Sequence, residues 1–403
     1  MSDVQARFRR LEPLIDRALE LEGEARARFL VLCGEIHPDL IVDLQRALEP
    51  EARLPELSGL ARELTREQAT DRGGLRIGAW RLLEKIGRGG MGTVYRAARD
   101  DGAFEKQVAI KLLRSEDARF RKSLERERHL LARLDHPGIA RLIDGGVLAD
   151  GQPWLAMELA EGENLDAWLR RVRPSLERRL DVFLAICDAV AHAHREQLVH
   201  RDLKPGNIRI AADDGVKLLD FGIAKLLAPD APSGTTRHLA VTPEYAAPEQ
   251  LAGGAISART DIYALGALLH LLLAGRSPHP RFDGDWASYI EHICRNDRAP
   301  ASHVAAAVGA PALPATCLRG DLDAIMAKAL ARDPAQRYDG VAALAQDIGR
   351  HRAGQAVLAR THTWRYRGDK WLRRNWRLLF LVGVFLLVLG GTIAVMAWQA
   401  GRG

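Results

Sequence analysis

This chain has little that could serve as a covalent or metal staple. Among its 403 residues there are only 4 cysteines, Cys33, Cys187, Cys294 and Cys317. They stand far apart, with no CxxC pair and no Cys/His cluster of ligand spacing, which excludes a cysteine-held metal centre and predicts reduced, buried thiols. No internal repeat is evident. Net charge is also missing from most of the chain: the total is +6, and Arg360, Arg365, Arg367, Lys370, Arg373, Arg374 and Arg377 set against Asp369 account for all of it. An excess confined to one short segment excludes nucleic-acid binding and suits anionic lipid headgroups as the partner. With 47% of residues hydrophobic, there is material for one large two-lobed domain and a smaller one, each with its own core.

Charge is absent altogether from residues 378–398, "LLFLVGVFLLVLGGTIAVMAW". At about 1.5 Å per helical residue this run covers the roughly 30 Å hydrocarbon core of a bilayer. Trp376 and Trp398 bracket it as interfacial anchors do, and the run follows hundreds of globular-looking residues, so it is no signal peptide. The expectation is a single transmembrane helix over 378–398, with a basic juxtamembrane segment at 353–377 on the cytoplasmic side and a short external tail at 399–403. Gly383, Gly390, Ala394 and Ala397 fall on one face of that helix and offer a close-approach surface for a homodimer.

Upstream, Phe8, Leu11, Leu14, Ile15, Ala18 and Leu19, then Phe29, Leu30, Leu40, Ile41, Leu44 and Leu48, recur at helical spacing and predict a helical module over 1–50. Residues 51–79 are polar, carry Pro55 and include "DRGG", which reads as a linker. The period changes at Trp80, where "WRLLEKI", "TVYRAAR" and "QVAIKLL" are strand-like; after about residue 160 long apolar stripes predict helices, chiefly "LERRLDVFLAICDAVAHAHREQ" and "DIYALGALLHLLLAG". A β-rich lobe over 80–160 therefore precedes a larger helical lobe over 161–352, an α+β architecture.

The chemistry begins with "GRGGMGTV", in which Gly87, Gly89 and Gly92 are spaced G-x-G-x-x-G and Val94 follows. Glycines let backbone N–H groups approach phosphate oxygens, and a dinucleotide-binding turn would carry the same letters. Here they lie between two strand-like runs rather than between a strand and a helix, which argues against a dinucleotide fold. In "VAIK", Lys111 sits in an apolar strand where an unpaired ammonium is costly, so it needs anions. Nucleotide phosphates are one source. A carboxylate on the helix expected over 124–144 is the other, with Glu127 preferred and Glu125 second. The densest signal is "VHRDLKPGNIRI" followed, after a hairpin at "ADDG", by "VKLLDFG". Asp202 can accept the proton of an attacking hydroxyl, Lys204 can neutralise a transferring phosphoryl group, and Asn207 and Asp220 can hold Mg²⁺ against phosphates.

These motifs occur in the order found in protein kinases, and the sequence resembles the bacterial eukaryotic-like serine/threonine kinases. The resemblance runs from about residue 80 to 350 and includes "APE" at 247–249. It implies a two-lobed protein kinase fold, ATP and Mg²⁺ (with Mn²⁺ as a substitute) as cofactors, and protein substrates. By resemblance, Gly90 joins Gly87, Gly89, Gly92, Val94, Ala109 and Lys111 around the nucleotide. Met157 becomes the gatekeeper, with Glu158 and Ala160 on the hinge that binds adenine. Asp261 would brace the catalytic loop and Arg337 would pair with Glu249. "DLKP" and Thr242 point to serine and threonine rather than tyrosine; Val241, where the family usually has glycine, departs from the pattern in the substrate-binding loop. Arg201 would receive a phosphorylated activation-loop residue, for which Ser233, Thr235 and Thr236 are the candidates. The implied location is the inner membrane of a bacterium. A silent kinase-fold scaffold would predict damage at Lys111, Asp202, Asn207 or Asp220, and a small-molecule phosphotransferase would lack "APE"; neither departure is present.

Overall fold

A computed structural model describes isolated positions between residues 14 and 44, then residues 72–89, 92–113, 133–221, 243–279, 286–295, 298–309, 312–360 and 363–400. Strands β1 (Arg76–Ile77), β2 (Trp80–Gly89), β3 (Gly92–Arg99), β4 (Gln107–Leu113), β5 (Leu142–Val147) and β6 (Pro153–Glu158) pair antiparallel in the order β1-β2-β3-β4-β6-β5. Alternation along the strands puts Trp80 and Leu82, Tyr95 and Ala97, Val108, Ile110 and Leu112, and Trp154 and Ala156 into one small core. The same alternation sends Lys111 to the other face, where its neighbours Leu113 and Leu155 join the core of the large lobe. Gly92 carries φ +150°, and a Cβ there would come 2.1 Å from the Leu112 carbonyl oxygen. Only glycine lets β3 lie that close to β4.

The large lobe opens with strand β7 (Glu163–Asn164), which pairs with β8 (Ile208–Ile210) and through it with β9 (Val216–Leu218). Helices α1 (Leu165–Val172), α2 (Leu176–Arg195), α3 (Pro248–Leu251), α4 (Ala258–Ala274), α5 (Trp286–Arg295), α6 (Ala301–Val308), α7 (Ala315–Leu318), α8 (Asp321–Ala329) and α9 (Val341–Arg352) follow in chain order, and α10 (Trp364–Ala400) comes last. Ser175 starts α2 by accepting a bond from Arg178 N, and Leu180, Phe183, Ile186, Cys187, Val190 and Ala193 then recur on its buried stripe. By contrast α4 is buried all round from Thr260 to Ala274, so it is the lobe's central helix; Gly275 ends it in the left-handed conformation at φ 79°. Each of its fully buried leucines contributes on the order of 1.5–3 kcal/mol.

Five sequence expectations need correction or restriction. The linker expected over 51–79 ends early, because Ile77 is buried and β1 extends the sheet. The helix expected over 124–144 cannot run its full length: residues 133–141 are not helical, Pro137 and Gly138 interrupt the run, and β5 begins at Leu142. Residues 114–132, with Glu125 and Glu127, lie outside the described residues. Cys33 and Cys187 are buried free thiols, but Cys294 is half-buried and Cys317 exposed, because α7 turns only Leu318 inward. Of the helical module, Leu14, Ala18, Phe29, Cys33, Leu40 and Leu44 form one apolar cluster with Leu30 and Ile41 packed against it, and most of the module lies outside the described residues. Among the described residues no helix is long and apolar enough to cross a membrane. Some side chains of α10, those of 393–397 among them, lie outside the described residues, and the span expected over 378–398 rests on its sequence alone.

Three buried histidines bear on stability. His270 donates from Nδ1 to the Arg276 carbonyl at 2.7 Å and His279 Nε2 accepts from the Tyr263 hydroxyl at 2.7 Å. Burial pushes His270 down to about 4 and His279 to about 2, and it lowers His200 as well. The folded chain therefore refuses protons that the unfolded chain accepts near pH 6.5, so stability is fullest above that value and falls as the pH drops towards the folded values. Each histidine contributes up to about 1.4 kcal/mol per pH unit. We predict that the melting temperature falls by several degrees or more between pH 7 and pH 5, measured by calorimetry; an unchanged midpoint would refute neutral burial.

Candidate active site

Between the lobes, the Lys111 ammonium is buried on β4 and lies 2.8 Å from a carboxylate oxygen of Asp220, just beyond β9. The other Asp220 oxygen, Oδ1, is buried and has no hydrogen-bond partner among the described residues. An anionic oxygen left bare in this way fits a position that completes its shell with a cation. Asp220 also holds φ at 48°, a left-handed conformation unusual for aspartate.

The loop between α2 and β8 supplies the second group. Asn207 donates through Nδ2 to the Asp202 carbonyl at 2.8 Å and to Asp202 Oδ2 at 3.0 Å. Lys204 Nζ lies 3.0 Å from the same Oδ2. A carboxylate, an ammonium and an amide therefore converge at one end of a 3-10 turn, Pro205–Asn207, whose proline and buried asparagine hold it against the core. The hairpin β8–β9 brings Asp220 back beside this turn, with Leu219 N donating to the Asn207 carbonyl at 2.8 Å.

Arg201 sits at φ 66°, and the strain is held from below by Asp261, which is 1% exposed. Asp261 Oδ2 accepts from His200 N at 2.7 Å and meets His194 Nε2 at 2.7 Å, while Oδ1 accepts from Arg201 N at 2.9 Å. Gln250 of α3 adds a bond from Nε2 to the Arg201 carbonyl at 2.9 Å. His200 locks the same loop to the strand end: Nδ1 accepts from Asp202 N at 3.3 Å, Nε2 donates to the Leu219 carbonyl at 3.1 Å, and the ring lies 4.5 Å from that of Phe221. Both bonds need the neutral imidazole, and burial keeps it neutral. The sequence reading gave His200 and Gln250 no role; their signal, a histidine beside "RD" and a glutamine after "APE", becomes meaningful only once the loops are in contact.

Arg337 and Glu249 form a two-bond pair, Nη1 to Oε1 at 2.7 Å and Nη2 to Oε2 at 2.8 Å, with Arg337 fully buried and stacked over Tyr263. This pair ties the "APE" segment to the loop before α9. On the small lobe, Gly87 pairs with Val94, and Val94 with Lys111, in register; Arg96 faces Ala109, and Ala109 faces Met157. Glu158 ends β6, its N–H bonded to Arg141 O at 2.8 Å and its carboxylate to Lys217 Nζ at 2.6 Å, and Ala160 follows two residues later. Gly89 and Gly92 face each other across the tip of the β2–β3 turn. Gly90, Glu125, Glu127, Gly222, Ser233, Thr235, Thr236, Val241 and Thr242 lie outside the described residues. The structure thus brings together Lys111, Asp202, Lys204, Asn207 and Asp220, which can bind a polyphosphate and receive a proton from a hydroxyl. No group of three or more His, Cys, Asp or Glu able to hold a metal occurs among the described residues. Mg²⁺ bound together with phosphates does not need one.

Comparisons with known proteins identify the family. A family model described as "Protein kinase domain" matches residues 80–351. The serine/threonine-protein kinase PknB of Mycobacterium tuberculosis is 34% identical over 287 residues, 68% of this chain and 43% of that protein. A probable serine/threonine-protein kinase of Streptomyces coelicolor, SCO3848, is 35% identical over 70% of this chain and 41% of its own length. The crystal structure of the M. tuberculosis PknI kinase domain superposes with a TM-score of 0.53 and 28% identity, covering 70% of this chain and 98% of that one. The chain thus spans about two fifths of the length of these curated relatives.

Replacing Asp261 with alanine would leave two buried backbone N–H groups and an imidazole without their acceptor. At about 1–3 kcal/mol for each unsatisfied group, Asp261→Ala should lower the free energy of unfolding by about 3 kcal/mol or more in urea titration. A loss below about 1 kcal/mol would show that the loop does not depend on it.

Proposed function

Because the chain belongs to the protein kinase domain family, among relatives that are bacterial serine/threonine kinases, we propose that it transfers the γ-phosphoryl group of ATP to serine and threonine hydroxyls of proteins. The observation that carries this reading is the convergence of Lys111, Asp202, Lys204, Asn207 and Asp220 between the lobes. Phosphoryl transfer needs positioning and neutralisation of charge rather than a covalent intermediate, and these groups supply both.

In this reading Asp202 accepts the hydroxyl proton, held in place by Asn207 beneath it. Lys204 faces the transferring group and compensates its growing charge. Lys111 holds phosphate oxygens, and Glu127 is its proposed second partner. Asn207 and Asp220 would hold Mg²⁺, with Mn²⁺ as a substitute; the bare Asp220 Oδ1 supports this, and the ion would neutralise the phosphates. Gly87, Gly89, Gly90, Gly92, Val94 and Ala109 would enclose the nucleotide, and Glu158 and Ala160 would meet the adenine.

The proposal extends to location. The uncharged run at 378–398 and the basic residues before it support a single helix through a bacterial inner membrane with the kinase domain on the cytoplasmic side. A homodimer through Gly383 and Gly390 would favour phosphorylation of one chain's activation loop by another.

The test is incubation of the full chain in lipid vesicles with MgATP, followed by mapping of phosphate by mass spectrometry. We expect phosphate on Ser233, Thr235 or Thr236, with the rate lowered roughly 10²- to 10⁴-fold in Asp202→Asn. Equal incorporation by the variant would overturn the role of Asp202, and silence of both proteins would favour a nucleotide-binding scaffold.

A further inference from the structure

The stretch after α9 reads as a basic juxtamembrane segment, yet two carboxylates of the helical lobe hold it. Asp347, on α9, is fully buried. Its Oδ1 accepts from Leu358 N at 2.6 Å and Arg350 Nη1 at 3.3 Å; its Oδ2 accepts from Ala359 N at 2.8 Å and the Tyr338 hydroxyl at 2.9 Å. The backbone at 358 and 359 is thereby pinned to the lobe by a charge that a free linker would not need. Val357, with no exposed surface, joins the large core beside them.

The second carboxylate is Asp321, at the start of α8 and 6% exposed. Its Oδ1 accepts from Arg360 Nη1 at 3.1 Å and from the Tyr366 hydroxyl at 2.9 Å. Lys370 Nζ lies 2.5 Å from Oδ2 as an ion pair, off the angle of a good hydrogen bond, and His351 Nδ1 is 3.6 Å from the same oxygen. Tyr366 closes the arrangement by accepting from Val357 N at 3.0 Å, while the Arg360 guanidinium lies over its ring at 4.3 Å. Burial works to raise the Asp321 carboxyl, but the Lys370 ammonium and the bonds from Arg360 and Tyr366 outweigh it and hold the group below its ordinary value. Tyr366 and Lys370 are four residues apart, so they share one face of α10.

The opposite side of those turns is dressed differently. Trp364 is 78% exposed, Trp371 and Leu372 are about half exposed, and Arg365 and Arg367 are exposed with them. One side of the helix start is thus bound to the protein by charge, and the other carries the tryptophan and arginine suited to a headgroup layer.

We propose that Val357–Arg360 and the first two turns of α10 form a strap seated in a socket made by Asp321 and Asp347, so that the kinase domain and the last helix move as one body. Two of the seven basic residues before the uncharged run, Arg360 and Lys370, are spent on this seat. Arg365 and Arg367 remain for anionic headgroups. That the body is held against a bilayer rests on the membrane reading above; the seat itself does not.

Hydrogen exchange of the full chain in detergent reads the seat directly. The Val357, Leu358 and Ala359 amides should exchange at least a hundred-fold more slowly than unstructured chain; exchange at the unstructured rate would overturn the proposal. In Asp321→Asn, trypsin should cut after Arg360 and Lys370 about ten-fold faster than in the unaltered chain, with several-fold acceleration in Tyr366→Phe, and with amide exchange in α2 and α4 unchanged. Cleavage at the original rate in both variants would equally overturn it. Tyr366→Phe lies on the strap rather than in the lobe, so it remains informative if Asp321→Asn fails to fold. Flotation of the same chain with vesicles containing anionic lipid tests the membrane reading separately. Protein that does not float removes that reading and leaves the seat to be judged by its amides; protein that floats with unprotected amides removes the seat alone.

Discussion

An ammonium buried in a β-sheet must find an anion, and the one that meets Lys111 belongs to the other lobe. Strand alternation turns Lys111 away from the small core and towards the cleft, and Asp220 is delivered there by the β8–β9 hairpin. The pairing leaves Asp220 Oδ1 without a hydrogen-bond partner among the described residues. One constraint, pairing of buried charge, thus joins the lobes and at the same time leaves a buried oxygen that a cation entering with a phosphate would satisfy.

The cleft is held by groups that do no chemistry. Arg201 and Asp220 both sit in left-handed backbone conformations, each costing on the order of 1–3 kcal/mol. Such strain persists only where the surroundings over-determine it. For Arg201 the surroundings are Asp261 and Gln250; for the strand end that carries Asp220 they are His200 and the Leu219–Asn207 backbone bond. A neutral imidazole at His200 is required because one nitrogen accepts and the other donates. The supporting groups and the reacting groups are therefore interleaved: His200, Arg201 and Asp202 are consecutive, yet they point to different tasks.

How much of this could be read from the letters depends on distance along the chain. The strands around "QVAIKLL" and the helices around "LERRLDVFLAICDAVAHAHREQ" were legible because period 2 and period 3.6 are local properties. The cluster of Asp202, Lys204 and Asn207 was legible because it lies within one short loop. The strand at Leu142–Val147 was not, since two glycines and an aspartate hide its alternation, and β1 was missed because two residues carry no period. Contacts such as Asp261 with the His200 and Arg201 amides span sixty residues or so of sequence and follow only from packing. The exposure of Cys317 was missed for the same reason: a cysteine's type favours burial, but the turn of α7 decides which side faces in.

The charge pattern near the C-terminal end carries the same lesson in reverse. Counted as letters, seven basic residues against one acid look like a headgroup-binding tail. Counted as contacts, two of them answer carboxylate oxygens that the helical lobe has already buried, and Tyr366 shares the same oxygen as Arg360. A buried aspartate needs such partners as much as Lys111 needs Asp220. Release of the strap would cost Asp347 the Leu358 and Ala359 amides and Asp321 the Arg360, Tyr366 and Lys370 groups. The strap thereby meets the lobe at α8 and α9, which pack against α4 and α2 respectively.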